Sequence, residues 1–436
     1  MIRRALSSCV LAGLLGMATP AIAQDIEATA AQSAESEQGA MRMRSEQVVA
    51  LINGEGDPSE LFTEGFLAAV PPSQLAAISR QLTTQFGQAL SVEGLYPVNE
   101  TRAGLHIRME RAIAKGGIAI DPNDDNRISE MLFREFEPVD DSAEKIEADL
   151  SVLPGDVSAY FAPIGSSDAV IAIDPDKQIA LGSTFKLYIL AALAQDIAKG
   201  ERDWGDTVKL DTKSFPSGMM QDWPEGAPVT LQTLASMMIA ISDNTATDQL
   251  IAILGKDRLA EVLRDSGHSE PGINNPFMTT REMFLLKGGN KDRLATYAAG
   301  DANLRAQILA GIENDAPSAD QVQQAFSSGP VAIDVEWFAT ARDLENLFEF
   351  MASHADETTY DIMGINPSMP PPMRAKWKYV GYKGGSEPGV LNLTWLLVDQ
   401  QDQAHILTLA WSNREANVEQ TQLELIAQRI LSLPRE

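Results

Sequence analysis

Three short runs in this sequence carry groups that can activate a hydroxyl, relay a proton and hold an anion. Ser183-Thr184-Phe185-Lys186 follows Gly182 directly and opens a helix predicted from Ser183 to about Ile197. A spacing of three puts the serine hydroxyl and the lysine ammonium on one helical face, one turn apart. The positive end of the helix lowers the cost of a developing alkoxide and favours a neutral lysine nearby. That is the arrangement a lysine needs to help activate a serine. Taken alone the pattern is weak. Ser142-Ala143-Glu144-Lys145 repeats it, in polar surroundings that read as a helix N-cap with a first-turn acid.

The second run, Ser242-Asp243-Asn244, ends the apolar stretch Leu234–Ile241. A serine and an amide presented together at a helix-connecting turn can supply a proton relay and a substrate hydrogen bond. As ordinary structure, all three residues cap helices well. The third run, Lys383-Gly384-Gly385-Ser386, ends a strand rich in aromatics. Its glycines let a substrate lie against the strand edge, and Lys383 offers a fixed positive charge. As ordinary structure it is a glycine-rich hairpin turn. Each run has a plain explanation singly. All three in this order, on helix, loop and strand, point to one site.

The elements that must position these residues form a mixed pattern. Strands are predicted at Val157–Pro163 and Ala169–Ile173, and a largely helical stretch from Leu231 to about Leu286. Strands return at Trp377–Lys383, Val390–Val398 and Ala404–Ser412, with a closing helix from Val418 to Leu433. This describes one α+β domain of two lobes, and a cleft between lobes is a natural place for a site. Ahead of it, Glu46–Asn53, Ser59–Val70 and Ser73–Gly87 carry helix-period apolar residues. Strand-like stretches follow at Leu90–Val98, Gly104–Met109, Ile113–Ile120 and Arg127–Phe136. Helices followed by an antiparallel meander suggest a small α+β domain over residues 41–139, with the second domain over 140–436.

With 436 residues the chain is long enough for two or three domains, and 44% hydrophobic with 22% charged residues is a globular composition. Residues 1–23 read as a secretory signal: Arg3 and Arg4, an apolar run from Ala5 to Met17, and a small-residue cleavage site at Ala21-Ile22-Ala23. Residues 24–40 look like a flexible leader. Cys9 is the only cysteine and leaves with the signal, which excludes a cysteine nucleophile in the mature chain. A formal charge of −27 repels nucleic acid and anionic lipid, so neither is an expected partner. Metal-helix, phosphate-loop, dinucleotide and Gly-x-Ser-x-Gly signatures are absent, and no cofactor or metal is implied. The expectation is an exported, periplasmic or extracytoplasmic protein without membrane insertion, taking a small-molecule or cell-wall peptide substrate.

From about Asp140 to Glu436 the sequence resembles class A β-lactamases and penicillin-binding proteins, and Ser242-Asp243-Asn244-Thr245-Ala246 is especially close to the class A form. The resemblance implies a five-stranded antiparallel sheet with flanking helices plus a helical lobe. It implies that Ser183 is acylated, that Lys186 activates it and that Ser242 passes the proton to the leaving nitrogen. Asn244 would hold substrate and lysine, and Lys383 would tune Ser242 and attract the substrate carboxylate. The backbone N–H groups of Ser183 and Ser386, beside Gly385, would form an oxyanion hole. The front block resembles the cystatin-like or steroid-isomerase-like domain that precedes some β-lactamase-like serine hydrolases, including one from clavulanic acid biosynthesis.

Departures from the family matter too. Gly384 stands where the family has a hydroxyl residue, and Glu387 places a negative charge near the expected anion site. Glu270-Pro271-Gly272-Ile273-Asn274 copies the Glu-x-x-x-Asn spacing that positions the hydrolytic water in class A enzymes, on a loop shorter than the family norm. Glu270 is therefore the candidate deacylation base, against a surface turn glutamate. His268, two residues earlier, reads as a solvated loop histidine or as an alternative base. Three functions stay open: hydrolysis of β-lactams or related amides and esters, an esterase or DD-peptidase, and a penicillin- or peptidoglycan-binding protein that does not turn over.

Overall fold

The computed structural model describes residues 39–139, 141–312, 324, 326–327 and 329–433. The expected signal and the leader up to residue 38 lie outside the described residues. The chain divides into two compact units, the first ending at Arg134 and the second starting at Glu135.

The first unit begins with helix α1 (39–52), followed by α2 (Pro58–Leu61), α3 (Glu64–Ala69) and α4 (Pro72–Phe86). The predicted helix over Ser59–Val70 is two pieces, because the Thr63 hydroxyl accepts from Phe66 N–H and starts a new helix there. Four strands follow as β1 (Ala89–Pro97), β2 (Arg102–Met109), β3 (Ala112–Asp121) and β4 (Arg127–Pro138, whose last residues lie past the division at Arg134), in spatial order β1-β2-β3-β4. Alternate residues of β2, namely Ala103, Leu105, Ile107 and Met109, are buried with Phe62 and Phe86, as a period of two requires of a sheet with one covered face.

The second unit opens with helix α5 (Ala143–Ser151), then β5 (Asp156–Pro163), β6 (Ile171–Ile173) and the two-residue β7 (Ile179–Ala180). Helix α6 spans Lys186–Ala198, and the hairpin β8 (Thr207–Leu210) and β9 (Ala227–Thr230) precedes α7 (Leu231–Ala240) and α8 (Asn244–Leu254). After further helices come β10 (Phe338–Ala339), β11 (Tyr379–Glu387), β12 (Val390–Val398) and β13 (Ala404–Ser412), and a helix over Gln420–Leu431. The main sheet has five strands in the order β11-β12-β13-β5-β6, paired antiparallel throughout. The fold class is the expected α+β one.

Both faces of this sheet are covered, which is why β12 is buried along nearly its whole length. Ala159, Phe161, Leu393, Trp395 and Leu409 pack with Ile146 of α5 and with Leu423, Ile426 and Ile430 of the last helix. Tyr160, Ala162, Leu396 and Ile406 face the helical lobe and pack with α6, α7 and α8. Arg429 holds the first of these layers together. It is buried, bonds both oxygens of Asp141 at 2.7 and 3.0 Å, and reaches Asp149 at 2.6 Å. A guanidinium fork on two carboxylates is the geometry in which a buried arginine stays charged.

Candidate active site

Ser183 is not in the α-helix. Gly182–Phe185 form a 3-10 turn, and α6 starts at Lys186. In such a turn residues three apart eclipse one another, so the spacing still keeps Ser183 and Lys186 to one side. The helix is apolar all round and buried from Lys186 to Asp196, so the lysine enters the protein interior at its first residue.

Lys186 is fully buried, and its ammonium nitrogen meets Ser242 O at 2.7 Å, Asn244 Oδ1 at 2.8 Å and Ser242 Oγ at 3.1 Å. Lys383 Nζ also lies 3.1 Å from Ser242 Oγ. One hydroxyl therefore bridges two lysines. Burial holds Lys186 well below the usual lysine range, and the neighbouring Lys383 adds to that effect. Burial lowers Lys383 to about 7. An uncharged amine has two N–H donors and one lone pair. With Ser242 O and Asn244 Oδ1 taking the donors, the lone pair of Lys186 is left for a hydroxyl. The Ser183 hydroxyl itself has no side-chain partner among the described residues. Hydrogen bonds of this kind tighten when substrate binds.

The turn that presents Ser242 is strained and tightly held. Ser242 has φ +58°, a left-handed conformation that costs a serine on the order of 1–3 kcal/mol. Asp243 supports it from below. Its side chain caps α8 by accepting from Ala246 N–H at 2.9 Å, and accepts from Met219 and Met220 N–H at 2.7 and 2.9 Å. Each residue of Ser242-Asp243-Asn244 thus has its own task, and the capping explanation accounts for Asp243 alone.

Lys383-Gly384-Gly385-Ser386 is strand, not turn. Strand β11 continues to Glu387, which pairs with Val390. The glycines serve a close approach of backbones. A Cβ on Gly385 would collide with Leu181 O and Ser183 N, and one on Gly182, at φ +48°, would stand 2.9 Å from Ser386 N. Two backbone amides, Ser183 N–H and Ser386 N–H, are thereby brought close together. Thr184 Oγ1 donates to Lys383 O at 3.4 Å across the same contact. Gly385→Ala is expected to push the Ser183 turn away and slow any reaction at Ser183 by at least about tenfold, because no flexible side chain is there to give way. Labelling kinetics beside a thermal melt would check this, and wild-type kinetics in a folded variant would refute it.

These groups share a cleft of about 400 Å³ lined by Ser183, Ser242, Asn244, Lys383, Gly385 and Ser386 among others. Glu270 is not among them. It is exposed, at the start of a 3-10 turn over Pro271–Asn274. The loop is tied to β10 instead, since Asn274 Nδ2 donates to Phe338 O and Phe338 N–H donates to Asn274 Oδ1, each at 2.8 Å. His268 is not a solvated loop residue. It is buried, with Nε2 at 2.8 Å from Phe338 O and Nδ1 accepting from Glu270 N–H at 3.1 Å, so it pins that loop.

The two departures on β11 also look different in three dimensions. A Cβ on Gly384 would overlap the Tyr382 hydroxyl, so that phenol fills the volume a serine or threonine would need. Glu387 is not a bare negative charge facing the cleft. Its side chain is 5% exposed and its Oε1 receives Lys287 Nζ, which is 3.4 Å from Glu336 Oε1 as well. Sequence reasoning missed Lys287 and Glu336 altogether. Neither belongs to a motif, and only the fold brings helix Thr280–Lys287 and the residue before Trp337 to the end of β11.

Residues 141–328 match the beta-lactamase enzyme family, a stretch that includes Ser183, Lys186, Ser242 and Asn244. A comparison with curated proteins finds no match. Among solved structures the chain is similar to a PBP-A mutant captured as its acyl-enzyme complex with penicillin G. Identity is 16% and the TM-score 0.45, over 66% of this chain and 93% of that one. A beta-lactamase from Sphaerobacter thermophilus is 18% identical with a TM-score of 0.46, over 66% and 93% of the two chains. A putative class A beta-lactamase from Rhodopseudomonas palustris is 16% identical with a TM-score of 0.45, over 66% and 97%. Among the described residues no helix is long and apolar enough to cross a membrane, and no cluster of three or more His, Cys, Asp or Glu is placed to hold a metal.

Proposed function

We propose that this protein is a serine hydrolase that forms an acyl-enzyme on Ser183 and acts on β-lactams or related amides and esters. The observation that carries the reading is Ser242 Oγ standing 3.1 Å from both Lys186 and Lys383, two buried lysines held low in pKa, in the cleft that Ser183 lines. In this reading Lys186 takes the Ser183 proton and the alkoxide attacks the substrate carbonyl. The oxyanion is met by Ser183 N–H and Ser386 N–H. Ser242 hands a proton to the leaving nitrogen and is resupplied by a lysine. The match of residues 141–328 to the beta-lactamase enzyme family supports the same chemistry. An exported protein is the setting we propose for it.

The test is a time course of intact-protein mass with a penicillin, a cephalosporin and a simple aryl ester. A transient or stable adduct on Ser183 supports the reading, and no adduct with any of the three refutes it. The second reading, an esterase or DD-peptidase with little action on β-lactams, is favoured by Gly384, where the Tyr382 phenol takes the place of the short serine or threonine hydroxyl that would bond a β-lactam carboxylate. An adduct with the ester alone would select it.

Lys383 makes a further prediction. Its low pKa comes from burial, so the free enzyme loses this positive charge as pH rises through about 7. Affinity for an anionic substrate should therefore be highest below pH 7 and fall above it. Lys383→Ala should weaken binding of an anionic substrate by about tenfold at pH 6, more at low salt than at high, and leave the binding affinity of a neutral ester unchanged. Equal losses for both substrates would show that Lys383 is not an anion attractor.

A further inference from the structure

Hydrolysis of an acyl-enzyme needs a group that takes a proton from water beside the acyl carbonyl. Among the described residues lining the cleft, the carboxyl side chains are those of Glu336 and Glu387, and no histidine lines it. Glu387 directly follows Ser386, whose backbone nitrogen meets the Gly182-Ser183 turn, so this carboxyl is carried next to the strand segment that faces the nucleophile. Its Oε1 is held by Lys287. Its Oε2 is buried and receives no N–H or alcohol O–H from a described residue, while the Glu336 carboxyl is close enough to share a proton with Glu387. A buried oxygen of this kind is destabilising unless a donor reaches it, and the cleft is where a water donor can arrive.

Lys287 serves two acids at once, Glu387 and Glu336, with all three side chains at most 5% exposed. Two carboxylates beside one ammonium carry an excess negative charge in a dry place, so one of them binds a proton readily. Burial pushes the Glu387 carboxyl up from the usual range; Lys287 opposes this and Glu336 adds to it. Such a group exchanges protons near neutral pH, as a general base must. Glu336 also lines a second cavity, of about 240 Å³, with Asn274 and Arg305. Water reaching Glu336 from that side need not pass a substrate in the cleft.

We propose that the Glu387 carboxylate is the base that activates water against the acyl group on Ser183, with Lys287 and Glu336 positioning it. This rests on the acyl-enzyme reading above. Glu387 takes one proton from water as the water oxygen bonds to the acyl carbon. The tetrahedral adduct then collapses, the bond from that carbon to Ser183 Oγ breaks, and the proton returns from Glu387 to Ser183 Oγ. The product leaves as a carboxylic acid. Glu336 raises the proton affinity of Glu387 and Lys287 fixes its orientation.

The experiment is stopped-flow burst kinetics with intact-mass detection on wild type, Glu387→Gln, Glu336→Gln and Glu270→Gln. Glu387→Gln should keep the acylation burst and lengthen the acyl-enzyme lifetime at least about tenfold. Glu336→Gln removes a neighbouring negative charge, so Glu387 should bind protons less readily and the rising limb of decay rate against pH should move to lower pH. A merely structural role for Glu336 would leave that limb where it was. A normal acyl lifetime in Glu387→Gln would overturn the proposal, as would a long-lived adduct found in Glu270→Gln instead. Failure of both cluster variants to acylate would overturn it too, because the cluster would then be holding the site together. No adduct on Ser183 in the wild type or in any of the three variants would overturn the acyl-enzyme reading itself, and this inference with it.

Discussion

Ser183→Ala is expected to abolish covalent labelling by a penicillin or a fluorophosphonate-type probe while leaving the melting temperature nearly unchanged. The size of the effect follows from the chemistry. An acyl bond needs an oxygen at this position, and alanine supplies none, so the adduct is lost and not merely slowed. The structural cost is small because the Ser183 hydroxyl has no side-chain partner among the described residues, and its removal leaves no buried group unpaired. The backbone N–H of Ser183 stays in place against Gly385. Non-covalent binding should therefore persist, so the variant can serve for trapping intact substrate. Intact-protein mass and a thermal melt are enough. Continued labelling of the variant, for instance at Ser142 in the decoy Ser142-Ala143-Glu144-Lys145, would remove Ser183 from the mechanism. The structure argues against that site. Ser142 Oγ accepts from Lys145 N–H at 3.3 Å as the N-cap of α5, an ordinary use of a serine at a helix start.

The sequence was most legible where local physics repeats. The strands of the main sheet alternate or run apolar between clear turns, and β5, β12 and β13 lie within a residue of their predicted limits. The residues that meet at and behind the cleft were legible as types and order: Ser183 and Lys186, then Ser242 and Asn244, then Lys383. What they do to each other was not. Spacing alone places Lys186 beside Ser183; its contacts with Asn244 and the approach of Lys383 to Ser242 are expected only from the family resemblance, and the Lys186 contact with Ser242 from neither. No spacing rule gives a hydroxyl shared by two lysines from elements that far apart in the chain.

Some features have a local signal: between residues 287 and 376, Thr340-Ala341-Arg342-Asp343 is a reciprocal capping box opening a helix over Ala341–Ala352. Others have none. Glu270-Pro271-Gly272-Ile273-Asn274 has the right spacing for a water-positioning pair, but a spacing does not say which way a loop folds. Asn274 and His268 turn that loop toward Phe338, while the buried acids at the end of β11 come from Glu336 and Glu387. Charge burial of this kind is a tertiary effect. It appears only once Lys287 is carried there by its helix.

The second large effect expected is on the proton relay. Ser242→Ala and Lys186→Ala should each slow acylation by roughly two or more orders of magnitude, since in the proposed mechanism both groups serve proton transfer. The two variants differ in what else they disturb. Lys186 meets Ser242 O, Ser242 Oγ and Asn244 Oδ1, so its removal strips buried acceptors of a donor and should lower stability by about 1–3 kcal/mol. Ser242→Ala removes one oxygen at a half-buried turn and is the cleaner probe, although it brings Lys186 and Lys383 face to face with nothing between them. The double variant decides whether the two act as a unit. If protons travel through Lys186, Ser242 and Lys383 as one chain, breaking a second link adds little, and the double variant should be about as slow as the slower single one. Losses that multiply would mean that Lys186 and Ser242 act in separate steps. An unchanged acylation rate in Ser242→Ala would be the heavier blow, because the 3.1 Å contacts to both lysines would then have no part in the chemistry. Single-turnover acylation rates for the four proteins, measured at one pH and one ionic strength, distinguish all three cases.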